Sequence, residues 1–210
     1  MNTKKLAFTT LLLLGLLGVM LFALPEATES QVITHFCHDK EADVVGTSGN
    51  DTLTGNANDN VIVGLDGNDT IVAKGGNDTI CGGAGNDQID GGRGNDRISG
   101  NEGDDRLYGG GNRDTMDGFT GSDWMDGQAG DDTMSGGSGG DYMNGRGGDD
   151  TLNGGDDNDI LDGEGGRDKL NGEAGNDTLY GRGGRDTLNG GPGTDDCQGG
   201  SRRDTFIECP

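Results

Sequence analysis

A nine-residue pattern of apolar and polar positions runs through the chain from Gly46 to Ile207. The eighth position of every block is apolar, whereas glycine, aspartate, asparagine and threonine dominate the others. Blocks such as Gly64–Val72 (GLDGNDTIV) and Gly172–Tyr180 (GEAGNDTLY) follow one another without insertion or deletion, so the span 46–207 makes 18 blocks. Positions 7 to 9 are too short for a helix. With threonine often at position 7 and an aliphatic residue at position 8, they predict a short strand with one side chain pointing inward.

The remaining positions of each block predict a tight turn. Position 1 is glycine except at Ala73, and position 4 is mostly glycine, with Asn58, Asn112, Asp157 and Arg202 as exceptions. Glycine adopts positive φ freely and Asn and Asp tolerate it, so we expect such conformations at positions 1 and 4, and often also at the glycines of positions 2 or 3. One block is then a turn plus a strand, and two blocks make one full coil. The pattern predicts an all-β solenoid of about nine coils with two parallel sheets.

Composition and charge restrict what such a solenoid could bind. Asp and Glu number 38 against 15 Lys and Arg, which gives a net charge of −23, and only 29% of the residues are hydrophobic. A large conventional core is therefore excluded, and an acidic surface disfavours nucleic acid as a partner. Position 6 is aspartate in every block except at Asn60. Stacked coils would place these carboxylates about 4.8 Å apart, where their repulsion opposes folding and cations are the natural counter-charges.

The pattern GGxGxDxUx, in which U is a large aliphatic residue, resembles the RTX (hemolysin-type) calcium-binding repeat. The resemblance covers 162 of 210 residues and implies a parallel β-roll. It also implies Ca²⁺ ions between successive coils, each held by turn carbonyls and by two position-6 aspartates that are one coil apart. Nine turns on each edge leave eight gaps, so about 16 ions is the upper limit.

The implied calcium ligands form two columns, one along each edge of the roll. Asn60 lacks a carboxylate, so the site that includes it should be weaker, and Arg202 and Arg203 depart from the pattern in the last block. The aspartates of the first column are Asp51, Asp69, Asp87, Asp105, Asp123, Asp141, Asp159, Asp177 and Asp195. Those of the second column are Asp78, Asp96, Asp114, Asp132, Asp150, Asp168, Asp186 and Asp204.

Four cysteines, an even number, predict disulfides in an exported chain. None has CxxC spacing. Pairing of neighbours would join Cys37 to Cys81 and Cys197 to Cys209, although the spacing alone permits two other pairings. The flanks are similar to those of small exported repeat-only RTX proteins, which have a cysteine and a V-x-G-T segment before the repeats, a cysteine after an early repeat and two at the end. This resemblance favours the local pairing and a roll with disulfide-stapled ends.

The N-terminal segment differs from the rest of the chain. Lys4 and Lys5 precede an apolar run from Leu6 to Leu24, which is the layout of a secretory signal peptide. The run is also long enough to span a bilayer, so an uncleaved anchor is the alternative. We therefore predict a signal peptide or anchor over 1–24, an N-terminal cap over 25–45, the roll over 46–207 and a tail over 208–210. The protein should be secreted, or anchored facing outside, with membrane contact only if the segment is uncleaved.

Several other groups of residues have two possible interpretations. Four methionines at position 8 could suggest a soft-metal site, but their register predicts core packing: Met116, Met125, Met134 and Met143. The sequence HFCH at His35–His38 could hold zinc or copper, but a disulfide-tethered cap is favoured. Arginine at position 5 is interpreted as charge relief between acidic turns: Arg113, Arg167, Arg185 and Arg203. Aromatic residues outside the core could form a small binding patch, although isolated exposed rings are favoured: Tyr108, Phe119, Trp124, Tyr142 and Tyr180.

The chain contains no familiar catalytic motif. It has two histidines and lacks HExxH, GxSxG and P-loop sequences. We expect a non-enzymatic, exported calcium-binding protein that folds as it binds calcium and serves buffering, adhesion or surface structure, with contact to a cell surface or extracellular matrix. The alternative is a calcium-folded module of a secreted hydrolase or toxin. In family enzymes a catalytic domain precedes the repeats, and the segment between Leu24 and Gly46 is too short for one.

Overall fold

The computed structural model describes residues 35–200 and 203–209. The predicted signal or anchor (1–24), the first part of the predicted cap, Arg202 and Pro210 lie outside these residues. The described chain consists of strands joined by turns. No helix in this part of the chain is long and apolar enough to span a bilayer.

Two parallel sheets form the solenoid, and the chain passes from one to the other with each successive block. The ten-stranded sheet contains β3 (Val44–Val45), β5 (Val61–Asp66), β7 (Thr79–Ala84), β9 (Arg97–Glu102), β11 (Thr115–Thr120), β13 (Thr133–Ser138), β15 (Thr151–Asp156), β18 (Lys169–Ala174), β21 (Thr187–Asn189) and β23 (Thr205–Ile207). The nine-stranded sheet contains β4 (Thr52–Thr54), β6 (Thr70–Val72), β8 (Gln88–Arg93), β10 (Arg106–Gly111), β12 (Trp124–Ala129), β14 (Tyr142–Asn144), β16 (Ile160–Asp162), β19 (Thr178–Tyr180) and β22 (Asp196–Gln198). A further short pair joins β17 (Gly165–Gly166) to β20 (Gly183–Gly184).

The strand register confirms the predicted coil of two blocks. Leu107 pairs with Ile89, two blocks earlier, and with Met125, two blocks later, and Met116 pairs in the same way with Ile98 and Met134. All strand pairs of the two large sheets are parallel. The fold is therefore the predicted all-β parallel β-roll.

Many strands are longer than the three positions that the pattern predicts. β10, for example, extends from Arg106 to Gly111 and includes the first three positions of the next block. Pairing continues because turn amides also donate to the neighbouring coil, as Gly55 does to the carbonyl of Val72 at 2.9 Å. The hydrogen-bonded ladder thus follows the backbone into the turns.

Position 8 points into a narrow core between the sheets. From Ile62 to Leu188 the position-8 side chains are at most 1% exposed, and they form one continuous cluster. The four methionines belong to this core, as predicted. At the C-terminal end of the described chain Phe206 is 50% exposed, because the last coil has no further coil of the roll packed on it.

Both predicted disulfides are present, Cys37–Cys81 and Cys197–Cys209. Cys37 belongs to a hairpin of β1 (Phe36–Cys37) and β2 (Lys40–Glu41), which lies against the ten-stranded sheet. The His38 Nε2 atom lies 2.9 Å from the Ser99 hydroxyl. The ring of His38 is also close to both sulfur atoms of the first disulfide. Since those sulfurs are bonded to each other, the structure favours the tethered segment over a zinc or copper site.

Candidate metal centre

The position-6 aspartates line the two edges of the roll, where each turn leads into the next strand. The structure brings them together in the two predicted columns, and from Asp69 to Asp195 each is at most 7% exposed. Asp51 and Asp204, in the first and last blocks, are half-buried. Their role as calcium ligands stays a prediction, but their placement can be described atom by atom.

After the first coil, one oxygen of each carboxylate is held by the preceding coil. The backbone N–H of Asp96 donates to Oδ1 of Asp114 at 2.8 Å, and the N–H of Asp114 donates to Oδ1 of Asp132 at 2.8 Å. The same bond recurs along both edges, beginning with Asp51 to Asp69 and with Asn60 to Asp78. Each aspartate is therefore fixed in one orientation by the amide of the position-6 residue one coil earlier.

The second oxygen of these carboxylates is buried and has no hydrogen-bond partner. This holds for Oδ2 of Asp69, Asp78, Asp87, Asp96, Asp105, Asp114, Asp123, Asp132, Asp141, Asp150, Asp159, Asp168, Asp177, Asp186 and Asp195. Burying an unpaired carboxylate oxygen is costly, and native proteins pair such atoms or give them to a cation. Fifteen repetitions of one unpaired atom indicate a site that repeats with the coil.

The first turn of each edge differs. Oδ2 of Asp51 accepts hydrogen bonds from the backbone amide and the hydroxyl of Thr47, at 2.6 and 2.8 Å. The side-chain oxygen of Asn60 accepts from the amide of Asn56 at 2.8 Å. Neither residue offers a free buried oxygen, which agrees with the prediction of a weaker site at Asn60.

The glycine at position 1 is packed against the unpaired oxygen. A Cβ atom on Gly91 would lie 2.6 Å from Oδ2 of Asp96 and 2.8 Å from the carbonyl oxygen of Gly109 in the next coil. At Gly127 the corresponding distances, to Asp132 and Gly145, are 2.5 and 3.1 Å. A carboxylate oxygen and a carbonyl oxygen thus lie next to each other against the Cα of position 1, where any side chain would collide with them.

The backbone at position 1 does not adopt the positive φ that the sequence led us to expect. Positive φ occurs at position 4, as predicted, and also at position 2, where non-glycine residues such as Leu65 (85°) and Lys74 (80°) adopt it. Position-1 glycines such as Gly91 are not in that region. Glycine is needed at position 1 because of the space taken by the carboxylate, a requirement that repeat spacing does not reveal.

Burial strongly disfavours the charged form of these carboxyls. Removal from water raises the pKa of Asp114 to about 8, and the neighbouring carboxylates of Asp132 and Asp96 add to the rise, against the bond from the Asp96 amide. The pKa of Asp105 is raised to about 7 and that of Asp87 to about 6, again mainly by burial. At neutral pH some of these groups are therefore protonated in the ion-free roll, and a positive charge beside the column would favour their ionised form.

The donor set fits calcium. Ca²⁺ takes six to eight oxygen ligands, which are carboxylates, carbonyls and water. The turns offer unpaired carboxylate oxygens close to carbonyl oxygens of the next coil. A calcium ion bound between the coils would supply the positive charge that balances the buried aspartates. The residues that would hold it are the position-6 aspartates of adjacent coils and the turn carbonyls. The number of ions, up to about 16, remains a prediction.

A second ladder, at position 5, was missed by the sequence analysis. The amide of Asn68 donates to the side-chain oxygen of Asn50 at 2.9 Å, and the amide of Asn86 donates to that of Asn68 at 3.0 Å. The recurrence of Asn and Asp at position 5 is the sequence feature that could have predicted this ladder. Arginines at this position form ion pairs with the neighbouring coil, Arg113 with Asp131 at 3.1 Å and Arg167 with Asp149 at 2.8 Å. The predicted relief of repulsion between acidic turns is therefore confirmed for Arg113 and Arg167.

Comparison with known protein families agrees with this geometry. The family model of the RTX calcium-binding nonapeptide repeat matches residues 45–80, 82–116, 117–152, 135–170, 144–179, 162–197 and 171–206. No curated protein matches the chain at a significant level. Because the matched repeats occupy most of the chain and coincide with the coils and their aspartate columns, the protein belongs to the family of RTX calcium-binding nonapeptide repeat proteins.

Proposed function

We propose that the protein is an exported, non-catalytic scaffold that folds when it binds calcium outside the cytoplasm. The single observation that carries this proposal is the repeated buried Oδ2 atom with no hydrogen-bond partner. Without a cation, every coil buries carboxylates at a cost. With a cation, the same groups stabilise the contact between coils, so the free energy of binding becomes free energy of folding.

The overall charge supports the same proposal. A net charge of −23 is neutralised by about 12 divalent ions, which lies within the 16 gaps of the two columns. Two disulfides are characteristic of oxidising compartments outside the cytoplasm. The loaded roll would be a rigid acidic rod suited to adhesion or surface structure, and its many sites would also buffer calcium.

The decisive experiment measures folding during a calcium titration. Circular dichroism and small-angle scattering should show an expanded chain in EGTA and a compact β-rich particle in excess Ca²⁺. Magnesium is the matched control, because it prefers rigid octahedral sites with several waters and should compact the chain poorly. A protein that keeps its β-sheet spectrum and its radius in EGTA would refute the proposal.

Two further measurements address the parts of the proposal that concern export and catalysis. Mass spectrometry of the exported protein should find a mature N-terminus near residues 24–28, whereas an N-terminus at Met1 would identify an uncleaved anchor. Hydrolase activity of the purified protein that survives EGTA would favour the alternative, a module of a secreted enzyme.

A further inference from the structure

All tyrosines and the single tryptophan of the chain lie on one outer face of the roll. The chain has three tyrosines and one tryptophan, and the nine-stranded sheet carries all of them: Tyr108 on β10, Trp124 on β12, Tyr142 on β14 and Tyr180 on β19. The ring centroids of Tyr108 and Trp124 are 5.1 Å apart, and those of Trp124 and Tyr142 are 6.2 Å apart with nearly parallel planes. The expectation of isolated rings is therefore wrong for these three, which form a continuous row.

A row of fixed polar groups runs beside these rings. Arg146 donates from Nε and Nη2 to the two oxygens of Asp126, both at 2.6 Å, and Asp126 is only 2% exposed. Arg182 donates to Asp162 in the same way, and its Nε lies 2.7 Å from Oδ1 of Asp162. Each arginine lies two positions beyond a full coil from its aspartate, so the arrangement recurs along the sheet. We call this surface the aromatic face. It consists of the rings of Tyr108, Trp124, Tyr142 and Tyr180 and of the pairs Arg146–Asp126 and Arg182–Asp162.

The polar groups of the aromatic face are held in place but remain accessible. The side chains of Arg146 and Arg182 are 48% and 56% exposed, although their carboxylate partners are buried. The guanidinium of Arg182 also lies 5.0 Å from the centre of the Tyr180 ring. Groups that are already immobilised lose little entropy when they bind a partner.

Part of the aromatic face forms one open hollow. It has a volume of about 560 Å³ and is lined by Tyr108, Trp124, Asp126, Gln128, Ala129 and Arg146. Tyr108 and Trp124 occupy positions 9 and 7, so they belong neither to the core at position 8 nor to the aspartate columns at position 6. Threonine is the common residue at position 7. Trp124 and Tyr142 are thus departures from the repeat that its folding does not require.

The charges on the aromatic face indicate an uncharged partner. Each arginine is neutralised by its own aspartate, and a protein with a net charge of −23 repels nucleic acids and other polyanions. Stacking surfaces next to planar hydrogen-bonding groups suit a hydroxyl-rich ring compound. Neighbouring strands are about 4.8 Å apart, close to the length of one sugar unit in an extended chain, so successive sugars would meet successive strands.

We propose that the aromatic face binds a neutral polysaccharide laid along the roll. The proposal deepens the adhesive role proposed above and rests on it, since such polymers are found outside the cell. Trp124 and Tyr142 would stack on sugar rings. Arg146, Gln128 and Arg182 would contact hydroxyl groups.

The test uses the calcium-loaded exported protein and defined neutral polymers. Retention on cellulose, chitin, β-1,3-glucan and mannan is measured by pull-down. Soluble oligosaccharides of the retained polymer are titrated while the fluorescence of Trp124, the only tryptophan, is followed. We expect retention on at least one polymer, a change in Trp124 emission and at least a tenfold loss of affinity for Trp124→Ala. Trp124→Phe should retain much of the binding.

Controls separate stacking from a general loss of structure. Thr133→Ala alters an exposed position-7 residue on the opposite sheet and should bind like the wild type. Circular dichroism in calcium must show that the Trp124→Ala variant is folded. If it is not folded, Arg146→Lys is used instead. This variant loses the bidentate bond to Asp126 and should bind the polymer at least several-fold more weakly than the wild type.

Three results would overturn this proposal. The first is no retention on any neutral polymer together with unchanged Trp124 emission. The second is retention only on a polyanion such as polygalacturonate or DNA. The third is self-association of the protein that Trp124→Ala abolishes, which would make a second copy the occupant. The calcium titration in EGTA is independent of all three, so failure of calcium-dependent folding is distinguishable from failure of sugar binding.

Discussion

The replacement Asp114→Asn tests the proposed role of the aspartate columns most directly. Oδ1 of Asp114 accepts the amide of Asp96 at 2.8 Å, while its Oδ2 is buried without a partner. Asparagine keeps the size and the accepting oxygen but places an amino group where Oδ2 was. An amino group cannot ligate a cation. Since Asp114 belongs to the pairs with both Asp96 and Asp132, the variant should weaken two neighbouring sites.

The magnitude follows from how many ion–carboxylate bonds the variant breaks. A bond to a charged group contributes about 1.5–3 kcal/mol, so two weakened sites should reduce the free energy of unfolding in calcium by about 3–6 kcal/mol. At about 2–4 °C per kcal/mol for a chain of this size, the melting temperature should fall by about 6–24 °C. Without calcium the sign reverses, because the variant no longer buries a carboxyl whose pKa is raised to about 8.

Calorimetry and thermal melts in calcium and in EGTA measure both effects. The calcium stoichiometry should fall by one or two ions. Asp156→Asn makes the same chemical change at an exposed carboxylate and should leave stoichiometry and melting temperature unchanged. If Asp114→Asn binds as many ions as the wild type and melts at the same temperature in calcium, the assignment of position 6 is wrong.

Four other perturbations test separate parts of the structure. Gly91→Ala should lower the stability in calcium by about 1–3 kcal/mol through crowding, whereas Gly111→Ala, whose Cβ would meet nothing closer than 4.0 Å, should be neutral in the same melts. Asn60→Asp should add about one calcium ion by calorimetry, and an unchanged stoichiometry would contradict the explanation of the weak first site. Burial raises the pKa of several position-6 aspartates from 3.8 to about 6–8, so the ion-free roll is most stable below about pH 4 and loses that stability as the pH rises through 6–8. We expect more β-structure in EGTA at about pH 4.5 than at pH 8, and weaker calcium binding as the pH falls; the reverse trend in dichroism would contradict this. Replacing Cys37 and Cys81 by serine should cost about 4 kcal/mol, because the bridge closes a loop over a sequence separation of 44, and an unchanged melting temperature in calcium would argue against this staple.

The sequence alone was sufficient to predict the coil, the core and the aspartate columns. These depend on contacts between residues one full coil apart, and an uninterrupted repeat brings such residues together throughout the roll. Leu107 stacks on Ile89 and Met125 for this reason. The local disulfide pairing was also predicted, with support from the resemblance of the flanks.

Contacts with other separations could not be predicted from the repeat. Tyr108 and Trp124 are separated by two positions less than a full coil, and Asp126 and Arg146 by two positions more. Whether such pairs touch depends on the sideways offset between strands and on side-chain rotamers, neither of which the period determines. The need for glycine at position 91 could not be predicted either, because it depends on how the carboxylate of Asp96 lies against the turn.

The bonds along each edge all point in the same direction. From Asp51 to Asp186, the amide of each position-6 residue is satisfied by a carboxylate from the coil that follows it, as Asp96 is by Asp114. If the chain folds from its N-terminus, the position-6 amides of each coil are therefore hydrogen-bonded only when the following coil has formed. Growth of the roll is then stepwise and directional, since each coil is completed by carboxylates of the one that follows it.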